Sequence, residues 1–168
     1  MKIPNRRLSM CYFLVMDRIR ATRFSGLSRM LYTGDMNLLL HPETVSICKL
    51  AKETDPSDWT PTSPIYASIV DGHGRTLICN QAATTGKEKL IIDQSVWRCF
   101  QINAVMDFEV VGVMSHFSGL LASVKIPVMA VCSFETDYLL VPPLHVDAAR
   151  QIFETHGHTI NTLHPPAA

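Results

Sequence analysis

The sequence predicts an α+β protein of two small modules set side by side, and three observations carry that prediction. Alternating, β-branched runs recur between residues 44 and 160, two helical patterns interrupt the second half of that stretch, and the order of the runs repeats, worn at first and clear later. Strand–helix–strand–strand–helix–strand over residues 108–160 is the split βαβ order of ferredoxin-like βαββαβ modules. A unit of about 60 residues buries little surface alone, so pairing of two sheets is the economical architecture.

The elements follow in chain order. Residues 1–35 carry Lys2, Arg6, Arg7, Arg18, Arg20, Arg23 and Arg29 against Asp17 and Asp35, and read as a poorly ordered basic extension. Its apolar patch, Cys11 to Met16, is shorter than a secretory core. A cytoplasmic protein is expected, with a mitochondrial presequence as the alternative reading of these arginines. Residues 36–104 form the first, degenerate module. Within it Thr44 to Leu50 alternates as a half-buried strand, with Lys49 on the buried face or at a bulge, and Asp55 to Trp59 suits one helical turn. Ile65 to Val70 and Arg75 to Cys79 pair as a hairpin about Asp71-Gly72-His73-Gly74, whose glycines provide positive φ angles. Lys87 to Asp93 reads as a short helix and Ser95 to Ile102 as a strand.

Residues 105–161 form the second module. Phe108 to Met114 is too β-branched to favour a helix and reads as its central strand. Ser115 to Gly119 makes a turn, Ser118 caps a two-turn helix to Lys125, and Pro127 to Phe134 with Asp137 to Val141 forms a hairpin. Leu144 to His156 is a helix burying Val146, Ala149, Ile152 and Phe153, and Gly157 supplies its left-handed stop. His158 to Ile160 returns as an edge strand, and residues 162–168 are a tail.

Composition bounds the function. With 47% apolar and 18% charged residues, disorder is excluded. A formal net charge of zero provides no basic face for duplex nucleic acid, and no run approaches the roughly 20 apolar residues of a membrane helix. Five cysteines without a C-x-x-C pair fit a reducing compartment, and none is assigned as a nucleophile. His156-Gly157-His158 lacks a completing set of metal ligands, and Gly72-His73-Gly74 lacks the ending of a phosphate loop. No metal and no cofactor is expected.

Ile126 to Val141, reading Ile-Pro-Val-Met-Ala-Val-Cys-Ser-Phe-Glu-Thr-Asp-Tyr-Leu-Leu-Val, resembles the ACT-domain family that includes the CASTOR arginine sensors and small bacterial two-module ACT proteins. Gly119, Gly157-His158-Thr159-Ile160, Leu38 to Glu43 and Val96 to Phe100 extend the resemblance over roughly residues 36–160. It implies a non-catalytic regulatory module that binds a small ligand, usually an amino acid, between ACT units, and that associates as a dimer or with a regulatory partner. Matched position by position, the implied ligand-binding residues are Ser115, His116, Phe117, Ser118, Gly119, Ser133, Phe134 and Asp137. A helix N-terminus suits a carboxylate, and Asp137 suits an ammonium or guanidinium. Between Gly119 and Pro127 the expected first helix is about two turns shorter than the family's. That shortening gives the alternative expectation of an interaction module whose ligand site is lost.

Overall fold

The computed structural model describes residues 34–51, 53–55, 59, 64–104 and 111–164. The basic extension up to residue 33, residues 56–58 of the turn before Trp59, residues 108–110 of the expected central strand and the last four residues lie outside the described set.

Among the described residues, seven strands and two α-helices follow one another as β1 (Asn37–Leu50), β2 (Ala67–Asp71), β3 (Gly74–Asn80), β4 (Ile91–Ile102), α1 (Val113–Ser123), β5 (Met129–Cys132), β6 (Asp137–Val141), α2 (Val146–Thr155) and β7 (Thr159–Thr162). The strands form one sheet in the order β2-β3-β1-β4-β6-β5, with β7 also on β1. All its pairings are antiparallel except β1 with β7. The α+β class and the ferredoxin-like succession after β4 are therefore as expected.

β1 is longer than its alternating part. Its first residues, Leu38 to Leu40, pair with Phe100 to Ile102 of β4 and with Ile160 to Thr162 of β7; its last, Val45 to Leu50, pair with β3 and with the first part of β4. Register shifts between Leu40 and Thr44 join the two stretches. Pro42 falls in that interruption, where no ladder donor is needed. A second shift, between Lys49 and Leu50, is the irregularity expected there, and Lys49 points outward.

Between β2 and β3 the turn holds only Gly72 and His73. Asp71 accepts a hydrogen bond from the His73 amide (2.7 Å), and of the two glycines Gly74 alone has positive φ (137°). The turn is thus closed by an aspartate side chain as much as by glycine. The short helix expected from Lys87 is a single 3-10 turn, Glu88–Leu90, after which β4 begins at Ile91 rather than Ser95.

Two further expectations are corrected at α1. Val113 and Met114 are helical, so the expected strand does not reach them, and the helix begins at Val113 instead of after Ser118. Gly112, at φ 92° in the left-handed region, stands at the start of the helix in place of the expected Ser118 cap. With 11 residues, α1 is about a turn longer than the two turns expected. The reason is packing: Val113, Phe117 and Leu121 recur at four-residue spacing, and all three are buried. Burying that stripe outweighs the β-preference of the valines and the cost of about 1 kcal/mol for Gly119 within the helix.

Both helices cover one face of the sheet. Phe117 and Leu121 of α1 meet Ala149 and Phe153 of α2 over Leu38, Leu40, Phe100, Ile102, Leu139 and Val141. Phe153 stands edge-on to Phe100 (5.5 Å between centroids) and to Phe117 (5.3 Å). Val45, Ile47, Ile78, Cys99 and Leu140 form a second cluster, and Cys48, Leu50, Trp59, Leu77 and Cys79 a third. Gly157 has φ 90°, the expected helix stop.

Candidate functional site

Strand registers bring several strand ends together. Leu38 lies opposite Ile102, Gln101 opposite Tyr138 and Asn37 opposite Thr159, so β1, β6 and β7 begin where β4 ends. Main-chain bonds from Asn103 N to Asn37 O (2.8 Å) and from Thr159 N to Met36 O (2.9 Å) tie this end of the sheet. The first turn of α1 is fixed to it by His116, whose Nε2 lies 2.8 Å from Nε2 of His158.

Hydroxyl bonds shape the β5–β6 tip. Ser133 Oγ donates to Thr136 O (2.7 Å) and accepts from Thr136 N (3.2 Å), while Thr136 Oγ1 donates to Ile102 O at the end of β4. Phe134 projects from the tip, 79% exposed, and Asp137 opens β6 at 9% exposure. Cys132 lies opposite Asp137 in the ladder. Burial first, and then its hydrogen bond to Asp137 and that carboxylate's charge, push the Cys132 thiol up to about 11. Burial likewise pushes Cys99 up to about 12. Both thiols are held away from the thiolate, the nucleophilic form. Cys48 is also raised, because it hydrogen-bonds Cys79, and the same contact lowers Cys79.

The eight expected ligand residues divide into three groups. His116, Ser133, Phe134 and Asp137 belong to the sheet end just described. Phe117 is fully buried in the core under both helices. Ser115 and Gly119 are exposed on α1 and Ser118 is half-buried there, all of them inside the helix and not in the loop where they were expected. Ser118 Oγ reaches Ser115 O (3.4 Å), a bond within the helix. The reading of the residues missed Gly112, Thr136 and His158 as parts of this end of the sheet. The Val113-Phe117-Leu121 period would have found the first of these; the other two stand within runs already matched.

A different, open cavity of about 530 Å³ lies between the β1 interruption and the Gln81–Thr84 3-10 turn, with Glu43 and Glu88 in its lining. It contains none of the eight expected residues. Among the described residues no cluster of three or more His, Cys, Asp or Glu could hold a metal ion, and no helix is long and apolar enough to cross a membrane.

Residues 94–155 match a family model described as an ACT domain. This stretch, a little over a third of the chain, is similar to an ACT domain. It runs from β4 through α2 and takes in all eight expected ligand residues. No curated protein matches the chain.

Solved structures share the fold at low identity. A protein from Agrobacterium tumefaciens aligns with TM-score 0.67 at 16% identity, over 80% of this chain and 98% of its own. A Vibrio cholerae protein of unknown function aligns at 0.59 and 18%, over 73% and 91%. The regulatory subunit of aspartate kinase from Thermus thermophilus aligns at 0.51 and 11%, over 71% and 95%.

Proposed function

We propose that the chain is a non-catalytic regulatory module of the ACT kind that binds an amino acid at the end of the sheet where β4 ends, β6 begins and the first turn of α1 is held, in the manner of the CASTOR-like sensors. One observation carries this reading: a buried carboxylate, Asp137, and a helix start without a side-chain cap, at Gly112, are tied to the same end of the sheet. The first turn of α1 offers amide N–H groups and positive dipole to a carboxylate, and Asp137 offers negative charge to an ammonium. An α-amino acid carries that pair of charges. The 11-residue α1 supports the reading, since it is longer than the two turns expected. Ser115, Ser118 and Gly119 then act through the helix, not as direct contacts, while His116, Ser133 and Phe134 border the ligand.

Thermal-shift measurement against the common amino acids at millimolar concentration tests it. Ligand at a hundred times Kd adds about 2.7 kcal/mol of stability, so at least one amino acid is expected to raise Tm by several degrees. Asp137→Asn keeps the acceptor oxygen facing Cys132 and removes the charge. It is expected to leave the unliganded Tm nearly unchanged and to abolish the ligand shift. An undiminished shift in that variant would remove Asp137 from the site.

A second reading, a dimerisation module, is favoured by β2. This edge strand exposes the apolar side chains of Ile69 (51%) and Val70 (65%) beside a main-chain edge that another chain can extend. Light scattering separates the two: a dimer formed without any amino acid, and lost on Val70→Lys, supports edge pairing, while a dimer appearing only with ligand supports the sensor. Among the described cysteines, three buried and one exposed are all free, which suits a cytoplasmic protein.

A further inference from the structure

His116 and His158 are 42 positions apart in the chain, and their hydrogen bond determines the protonation of both rings. His158 is 4% exposed, and its Nδ1 accepts the Met36 amide at 3.2 Å. An accepting Nδ1 carries no proton, so neutral His158 has its hydrogen on Nε2 and donates it to Nε2 of His116. His116 must then carry its own hydrogen on Nδ1. Every ring lone pair of the couple is engaged: one by Met36, one by His158.

Another proton has no vacant place to go. On His116 Nε2 it would set two N–H groups against each other; on His158 Nδ1 it would displace the Met36 amide. The couple gains charge only by losing one of its two bonds. Those bonds fasten three elements, because His116 belongs to α1, Met36 precedes β1, and His158 leads from α2 into β7. His158 also packs on Phe117, 4.7 Å between ring centroids.

We infer that the His116–His158 couple is a proton-released latch, closed at neutral pH and opened by acid, that holds α1 to the starts of β1 and β7.

The surrounding charges agree with a His158 kept neutral. Burial lowers the His158 pKa most, His116 on α1 and His156 at the end of α2 lower it further, and only Asp35, ahead of β1, works in the opposite direction. A base whose folded pKa is depressed contributes stability that is complete above its unfolded value, about 6.5 for imidazole, and lost as pH falls through the folded value. The latch does not depend on whether a ligand binds beside it.

Two measurements on the full chain test the inference. In the wild-type protein at pH 7.5, long-range ¹⁵N–¹H spectra should show His116 as the Nδ1–H tautomer and His158 as the Nε2–H tautomer; the reverse assignment overturns it. His116→Ala, a change at a half-buried helix position, should lower Tm at pH 7.5 relative to pH 5 by about 3 °C more than any pH-independent offset, since acid has already opened the wild-type latch. An equal Tm difference between wild type and His116→Ala at the two pH values overturns the inference.

Discussion

Phe117→Ala is expected to lower the stability of the protein by about 3–5 kcal/mol, the range for deleting a buried aromatic side chain. Phe117 has no exposed surface, lies edge-on to Phe153 and touches the rings of His116 and His158. The deletion therefore leaves a cavity between two helices that cannot close without moving both from the sheet. Urea denaturation at pH 7.5 measures the effect, read as a lower midpoint with the slope unchanged. The same substitution decides which kind of residue Phe117 is. A ligand contact on a loop would cost under about 1 kcal/mol of stability and would weaken binding; a core residue gives the large loss. The burial of Phe117 predicts the second.

Gly157→Ala is expected to cost about 1–2 kcal/mol, because an L-residue at φ 90° crowds its Cβ against the carbonyl. A Cβ there would also stand 2.6 Å from Asp35 Oδ1, so that carboxylate must swing away. Gly119 makes the opposite prediction. It lies within α1, a Cβ added there meets nothing within 4 Å, and Gly119→Ala is expected to stabilise by about 0.5–1 kcal/mol. Denaturation curves of the two variants should thus move in opposite directions. If Gly119 instead opened the helix in a left-handed conformation, both substitutions would destabilise.

These two glycines mark how far the residues themselves reveal the fold. Gly157 was legible because it ends a helix whose apolar period, Val146, Ala149 and Phe153, stops just before it. Gly119 misled because the valines before it resemble a strand, and local propensity is weaker than the burial of Val113, Phe117 and Leu121 on one stripe. The β2–β3 hairpin was legible from its turn residues, although the turn uses Asp71 as much as glycine. The long first strand was only half visible, since Pro42 interrupts its alternation at the point where the ladder shifts register. Asp137 stood out in the family run, and its burial fits the proposed site. The His116–His158 contact had no local signature, because nothing at either position announces a partner 42 residues away.

The register of β1 also bears on how this protein can be handled and inherited. The segment that matches the ACT-domain model, residues 94–155, begins after β1 and ends before β7. Leu38 and Leu40 nevertheless sit among the side chains under its two helices, and β4 has β1 along one whole side. Lifted out by itself, the segment would present bare backbone along that side of β4 and an unroofed patch beside Phe100, an invitation to aggregate. It is not a portable cassette. Any shuffling of genes, or any fragment made for the bench, must bring along the strand that begins at Asn37 and the short one that ends at Thr162.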